Sequence, residues 1–496
     1  MITRNIRLAS AMKDFLARWR GNPNTKMVIN LDMNWHDIDR FLMGEAWSGS
    51  LIKQHLTELA DVIGPRWGGS AEERRAAAYI RDQMEAAGVD SANVEPFTLD
   101  SWNHGDVTIS LPDDDNRPIA ALPFLRCKPI NITTPLVDAG HASLHEVDGL
   151  DGRIKDSIVL ASISPEPFTS AEPFSARIVR LAKAGAACVI AIEPKTGGRM
   201  EYANSDEWLN IGPQKDAIAV VKTSSEDGAY LRRIASGSPR IKVSVESEYF
   251  DSEAHNTVAE IKGATYPDRH LILAGHHDTV LGTSGGNDNT SGTIGVMETA
   301  RVLAALVKEQ GVRPGMSIRF ATWSGEEQHL QGARAYVASH YSEGVANKEA
   351  KPLLNINLDE LSTGHMKGIV LAFPHLRKFM QSQLDTMDDG LKCHVLSHMD
   401  AHSDHFPFVE EAIDASITWR WRFWGRHEDA NFHHEAGDAA NKLNVRELKE
   451  YAGQLARLLL RLSHVSPDDW PTNPLTVADV NQMIERDAGG HHPAFH

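Results

Sequence analysis

Three short apolar runs in the second half of the chain are each followed by side chains that bind metals or move protons. LILAG (271–275) leads directly into His276-His277-Asp278. SIRFAT (317–322) is followed by Trp323-Ser324-Gly325-Glu326-Glu327, and LLNINL (353–358) by Asp359. A fourth group, Gly286-Asn287-Asp288-Asn289, stands just ahead of a long amphipathic stretch. If the runs are strands of one open α/β sheet, their carboxyl ends deliver these groups to one edge, where such sheets bind ligands. A mixed imidazole and carboxylate set suits a hard-to-borderline metal such as zinc. Each piece alone has an ordinary explanation. A Glu-Glu or His-x-Asp pair in an acidic chain is usually solvated surface, and Asn-Asp-Asn beside glycine is usually a turn. Their recurrence straight after apolar strands is what carries the argument.

The elements that must position these groups are legible in outline. TSGTIGVMETARVLAALVKEQG (290–311) is a long amphipathic helix, and a helical segment runs from Gln331 to Ser339. RELKEYAGQLARLLLRLSH (446–464) closes the domain as a helix. Strands alternating with helices predict an α/β fold with a mostly parallel central sheet and helices on both faces. Further upstream, SLIKQHLTELADVIG (50–64) has helical periodicity that puts Leu51, Leu56, Leu59 and Ile63 on one side. Ser70-Ala71-Glu72-Glu73 reads as a capping box opening a helix that stops at Gly88. Val94 to Leu99 reads as a strand, with Pro96 placing it at a sheet edge. Between about 101 and 250 the texture changes to short strands and turns. There IVLASI (158–163) and ACVIAIE (187–193) are buried strands flanking the helix SARIVRLAKAGA.

GHHDT, GGNDNTSG, WSGEEQ, NLDE and HHEAGD, in this order and at these separations, resemble the di-zinc aminopeptidase and glutamate-carboxypeptidase-like family, metallopeptidase family 28. The resemblance covers roughly 50–100 and 250–465. It implies a zinc exopeptidase-like fold and two zinc ions. His276 and Asp359 would each ligate one zinc, Asp288 would bridge both, and Glu327 and His434 would complete the set. His434 is preferred to His433 because it stands four residues before Asp438 in HEAGD. Glu326 would be the general base, with Asp278 supporting His276 from behind. Ser403-Asp404-His405, followed by FPF, matches a family segment lining the site. Two zinc ions about 3.5–4 Å apart can share a carboxylate and acidify a water. A carboxylate outside the ligand set must then take the water's proton. Consecutive residues on a strand-end turn point differently, so Glu326 and Glu327 can divide those tasks. Residues 101–250 resemble a protease-associated domain inserted between the two family segments. The resemblance therefore gives a 1–49 helical extension, a peptidase domain at 50–100 and 251–465, the 101–250 insertion and a 466–496 tail.

Thr418-Trp419-Arg420-Trp421-Arg422-Phe423-Trp424-Gly425-Arg426 lies where family members carry part of the substrate pocket. Read as a plain strand, its Trp and Arg faces simply pack and solvate. Read as a pocket, Trp424 is an aromatic wall and Arg420, Arg422 or Arg426 a bidentate partner for a carboxylate, with His405 nearby. The expected activity is cleavage of peptides or small amides, with an aminopeptidase as the default. A carboxypeptidase or an N-acyl amino acid amidohydrolase favouring acidic or aromatic substrates is the alternative. Gly282-Thr283-Ser284-Gly285-Gly286 formally matches a serine-hydrolase elbow, but it runs into Asp288 and reads better as a link between metal ligands. No HExxH motif occurs.

Composition sets the outer bounds. The chain has 496 residues and a formal net charge of −17, which argues against nucleic acid or an anionic membrane as main partner. Its length calls for two domains or one large domain with an insertion. The N-terminal stretch has no secretory pattern and reads as an amphipathic surface helix that can serve a homodimer contact. The three cysteines are widely spaced and form no CxxC pair, which points to free thiols in a reducing cytoplasm. GGHHPAFH at the end reads as a disordered tail with no catalytic role.

Overall fold

Leu271 and Leu273 are buried on one side of a strand, Ile272 and Ala274 on the other, in two separate apolar clusters. A strand apolar on both faces must be covered on both, and this one is. The computed structural model describes residues 34–112, 114–169, 172–203, 218–345, 348–361, 366–387, 390–420 and 432–487; of 114–116, 366, 367, 419, 420 and 487 it describes the backbone only.

In chain order, helices α1 (Trp35–Ser48), α2 (Ile52–Leu56) and α3 (Ala71–Ala87) precede strand β1 (Ser91–Leu111). Strands β2 (Asp114–Ile119), β3 (Leu122–Pro123) and β4 (Ile130–Asp138) lead to helix α4 (Leu144–Asp148) and strand β5 (Ile158–Ser162). Helix α5 (Phe174–Lys183), strands β6 (Cys188–Ile192) and β7 (Ala219–Thr223), and helix α6 (Ser225–Ala235) complete this part. Strand β8 (Arg240–Ile261) returns to strand β9 (Tyr266–His276), helix α7 (Gly292–Gln310), strand β10 (Met316–Trp323) and helix α8 (Gln331–His340). Then come β11 (Asn355–Asn357), β12 (Met366–Leu371), α9 (Arg377–Asp385), β13 (His394–Ser397), α10 (Phe406–Glu410) and β14 (Ala415–Arg420). Helices α11 (Val445–Ser463) and α12 (Val477–Asp487) follow.

The strands join in the order β13-β12-β14-β11-β9-β10-β8-β4-β5-β6-β7-β3. The centre, β14-β11-β9-β10, is parallel, and it turns antiparallel at β12 and at β8. Helices α1, α3, α7 and α11 cover one face of this centre, and α8, α10 and α12 cover the other. Beyond β8, strands β4 to β7 form a second parallel stretch with its own two apolar clusters. Strand β8 links the two stretches. Its far end pairs with β10 and its near end with β4, while β1 runs antiparallel along nearly its whole length. Along residues 91–104, β1 pairs with β8 alone, so Pro96 sits on an edge as expected. Asp100 and Asp251 share one rung of this ribbon, so the change of texture near 101 and 250 falls at matched positions of two paired strands.

Several expectations need correction. Leu51 caps α2 and is 37% exposed, so it does not join Leu56, Leu59 and Ile63 in the core. Ser70 Oγ does accept from Glu73 N at 3.1 Å. The Glu73 carboxylate does not complete the box: it is buried against His255 and His277. Helix α1 is no loose extension, because Ile38, Leu42 and Ala46 are buried in the main cluster. The segment after 466 also packs, through Trp470 and Val480. The proposed surface helix within residues 1–33 and the tail 488–496 lie outside the described residues. Cys127 and Cys188 are buried free thiols and Cys393 is half-buried. No described helix is long and apolar enough to cross a membrane.

Candidate metal centre

His276 is the last residue of β9, and its ring is fully buried. Its Nδ1 faces Asp278, at 3.2 Å from the backbone oxygen and 3.4 Å from Oδ1. With Nδ1 carrying the proton, Nε2 presents a lone pair to the site. Nε2 lies 3.2 Å from Asp288 Oδ1, 3.6 Å from Asp359 Oδ1 and 3.9 Å from Glu326 Oε2. None of these has hydrogen-bond geometry, so Nε2 is buried with no hydrogen-bond partner. The other oxygen of Asp288 faces a second imidazole: Oδ2 is 3.4 Å from His434 Nε2. His434 Nε2 also lies 3.0 Å from Glu327 Oε2, while its Nδ1 is 3.1 Å from the Tyr202 backbone oxygen. His433 stacks on His434 with centroids 3.6 Å apart and places Nδ1 2.7 Å from Asp288 Oδ2. The structure therefore brings together His276, Asp288, Glu326, Glu327, Asp359 and His434.

Each group is held from outside. Asp278 accepts from the Glu326 amide at 3.2 Å and from the Glu327 amide at 3.4 Å, which ties the end of β9 to the turn after β10. Asp438 accepts from Asn287 N at 2.8 Å and from Asp288 N at 2.9 Å, and its backbone oxygen accepts from Gly286 N. Ser403 donates to Asp359 Oδ2 at 2.7 Å and accepts from Asn357. The buried Arg66 donates to four backbone oxygens, those of Leu59, Gly64, His277 and Ser284, and to Thr290 Oγ1. It thereby joins the segment after α2 to both sides of the 277–290 connection. Close approach of backbones matters as much. A Cβ on Gly292 would sit 2.2 Å from the Leu358 oxygen and one on Gly275 2.7 Å from it. Only glycine at these positions lets β9, α7 and the end of β11 meet and carry Asp359 to His276. His434 has φ +55°, a region that costs a non-glycine residue of order 1 kcal/mol or more and needs support from its surroundings.

The electrostatics call for a cation. Burial pushes Glu326 well above the ordinary carboxyl range, and Glu327, Asp404 and Asp359 add to this against His276. Asp404 is raised in the same way, and neither of its carboxylate oxygens has a hydrogen-bond partner. For Asp288, burial works upward but His276, His433 and His434 outweigh it and hold the group well below its usual value. His276 is driven down by burial and up, by more, by the carboxylates around it. Buried carboxylates crowded around two or three imidazoles repel one another unless positive charge lies between them. Glu327 Oε1 and His276 Nε2, buried without hydrogen-bond partners, are ligand atoms of the type a divalent metal takes. The donor set fits such an ion.

Some expectations are met differently. His405 is buried at the start of α10 with no hydrogen-bond partner on either ring nitrogen; it is Ser403 that reaches Asp359. Ser284 donates to the Asp438 carbonyl at 3.2 Å, as expected of a structural link rather than a nucleophile. Arg422, Arg426 and Trp424 lie outside the described residues, as does the side chain of Arg420. Asp438 could have been found from HEAGD. Arg66 and Tyr202 carried no signal, because what they meet is mostly backbone, which the sequence does not mark.

Buried carboxylates and imidazoles gathered at one edge of a parallel sheet define a site of the kind metal-dependent enzymes use. Residues 256–459 match the profile of peptidase family M28, and the chain is a metallopeptidase. Carboxypeptidase Q of Bos taurus is 26% identical over 448 residues, 87% of this chain and 86% of that one. Aminopeptidase YwaD of Bacillus subtilis is 27% identical over 412 residues, 81% of each chain. With carboxypeptidase Q of Xenopus laevis, 27% identical, the match spans 61% of this chain and 64% of the frog protein. The fold is shared with a peptidase M28 precursor from Shewanella amazonensis (TM-score 0.68, 18% identity, 89% and 99% of the two chains). It is shared also with a zinc aminopeptidase from Bacillus subtilis (TM-score 0.65, 21% identity, 86% and 96%).

Proposed function

We propose that this chain is a di-zinc aminopeptidase in which Asp288 bridges two zinc ions. One ion would be held with His276 and Asp359, the other with His434 and Glu327. The observation that carries the reading is the division of Asp288: Oδ1 faces His276 Nε2 and Oδ2 faces His434 Nε2. His434 is chosen over its neighbour because its Nδ1 is committed to a backbone oxygen, leaving Nε2 beside Glu327. Bound there, zinc supplies Lewis acidity that polarises a carbonyl and acidifies a water. Glu326 would take a proton from the attacking water and deliver it to the leaving nitrogen. Asp278 fixes the turn on which Glu326 and Glu327 diverge, and Ser403 and Asp438 orient Asp359 and Asp288. In this reading residues 101–250 are a protease-associated-like insertion that walls one side of the cleft and limits substrate size.

The deciding experiment pairs metal analysis with a matched substrate panel: free-amine dipeptides, N-acylated forms and C-terminal amides, each with and without chelator and restored zinc. The expected result is two zinc per chain and chelator-reversible cleavage that requires the free amine. Activity indifferent to chelator would sink the metal reading. A second reading, carboxypeptidase, is favoured by the carboxypeptidase Q relatives that align along 86% of their length. It requires cleavage of amine-blocked substrates with a free carboxylate. It also gives the arginine-rich stretch a role: loss of acidic-substrate preference in Arg420→Ala, Arg422→Ala or Arg426→Ala. If all three keep that preference, the stretch has no part in recognition.

A further inference from the structure

The loop between β6 and β7 reaches the metal centre from outside the peptidase segments. Glu193, just past β6, is fully buried and bonded to Lys222 Nζ at 2.9 Å. It also accepts from Lys195 N at 3.2 Å and Glu201 N at 3.4 Å, which pins the loop's course. Lys195 then extends its ammonium to Glu435 Oε1 at 2.5 Å and to Glu201. Arg199 grips the same Glu435 carboxylate with two donors, Nε to Oε2 and an Nη to Oε1, both at 2.8 Å. Lys195 and Glu435 side chains are each only 5% exposed. Glu435 follows His434 directly. At His434 the same loop closes a two-point contact, since Tyr202 N donates to the His434 oxygen at 3.1 Å and the Tyr202 oxygen faces His434 Nδ1.

We propose that Lys195 and Arg199 are positioning residues that hold His434 in its left-handed backbone conformation with Nε2 turned toward the metal. The physical case has three parts. A non-glycine residue at φ +55° needs its neighbours to fix it. A buried carboxylate met by two cations in bidentate and end-on fashion is a strong anchor for the residue next to it. Among the described residues, the segment carrying His434 lies between β14 and α11 rather than at a strand end, and its tie to the peptidase segments, Asp438 on the Asn287 and Asp288 amides, falls four residues further on. The 101–250 segment is thus a working wall of the metal centre. Removing it would change metal retention even where substrate size played no part. The inference rests on His434 being a metal ligand.

The test is zinc content and zinc release into a chromophoric chelator, measured on the full chain for wild type, Lys195→Met, Arg199→Met and the double variant. Arg232→Met, which removes an ion pair with Asp138 elsewhere on the same segment, serves as control. The expected result is that one of two zinc ions is lost with affinity weakened about 10–100-fold, the range for removal of a ligand's supporting partner. Lys195→Arg should restore it in part, kcat should fall more than KM rises, and the Arg232→Met control should keep both ions. If Lys195→Met does not fold, Arg199→Met, whose side chain is 22% exposed, decides by itself. Unchanged release of both ions in folded variants would overturn the proposal. A wild-type chain that binds no zinc would instead sink the ligand assignment beneath it, and the two failures are told apart by that first measurement.

Discussion

Glu326 and Glu327 are chain neighbours with their amides on the same Asp278 carboxylate, and substitution should separate their duties. Glu326→Gln is expected to keep its zinc and lose kcat by about 10²–10⁴-fold, the usual contribution of a positioned acid–base group. Glu327→Gln is expected to lose zinc. Metal analysis beside single-turnover rates checks both, and zinc loss from Glu326→Gln would exchange the two roles. Asp438→Ala removes the acceptor of two buried amides and should cost about 1–3 kcal/mol in urea unfolding, with weakened zinc binding. His276, Glu326, Glu327 and Asp359 were legible because each follows an apolar run, so position along the strand already sets where the side chain emerges. Asp288 and His434 were legible only through their motifs, since neither ends a strand. The residues that hold them were hidden for a different reason. Tyr202 acts through its carbonyl, which every residue type possesses.

At the scale of elements, the approach of β9, α7 and the end of β11 rests on glycines. Gly292→Ala sets a methyl 2.2 Å from the Leu358 oxygen, so the backbone carrying Asp359 must move. Reduced zinc affinity is the expected outcome, along with a loss of about 1–3 kcal/mol from overpacking. An alanine variant with wild-type zinc affinity would show that Asp359 is placed by other means. Helix α1 is clamped to α11 by Asp39, which meets Arg457 Nη at 2.6 Å and Arg461 at 2.7 and 2.8 Å. Burial works against the Asp39 charge, but the two arginines outweigh it and lower its pKa. A lowered carboxylate pKa stabilises the fold above the unfolded value, about 3.9, and that stability is lost as pH falls through the folded value. Asp39→Asn should therefore lose stability at pH 7, with the gap to wild type narrowing below about pH 4. Urea titrations at several pH values measure it; a gap unchanged at pH 3 would mean the loss is packing rather than charge. Helical periodicity placed Leu56, Leu59 and Ile63 in the core and erred only at Leu51, which stands at the helix start. It could not show that the Glu73 carboxylate turns away from its own helix end, because that choice is made by His255 on β8 and His277 just past β9.

Over the whole molecule, acid should weaken the fold through histidines buried as neutral rings. Burial lowers His55 to about 4 and His270 to about 3. The unfolded chain takes up protons at these residues from about pH 6.5 downward and the folded chain does not. Stability is therefore complete above that pH and declines as pH falls toward 4. His270→Gln should flatten the decline between pH 6.5 and 4 in urea unfolding, and an unaltered slope would place it elsewhere. The parallel centre was readable from strands alternating with helices. What the pattern could not convey is that β1 and β8 run unbroken from one stretch of sheet into the other, since two strands far apart in sequence leave no local trace of their pairing. That continuity bears on how the chain is made. As synthesis proceeds, β1 is finished long before β8, its only partner among the described residues along 91–104. Strands β4 to β7 can come together in the meantime, and β10, made later still, must slot between β8 and β9 before the parallel centre can grow outward to β11 and β14. The metal centre is thus a late product of the nascent chain, and a ribosome that stalls before residue 261 leaves β1 as an open edge for chaperones to shield.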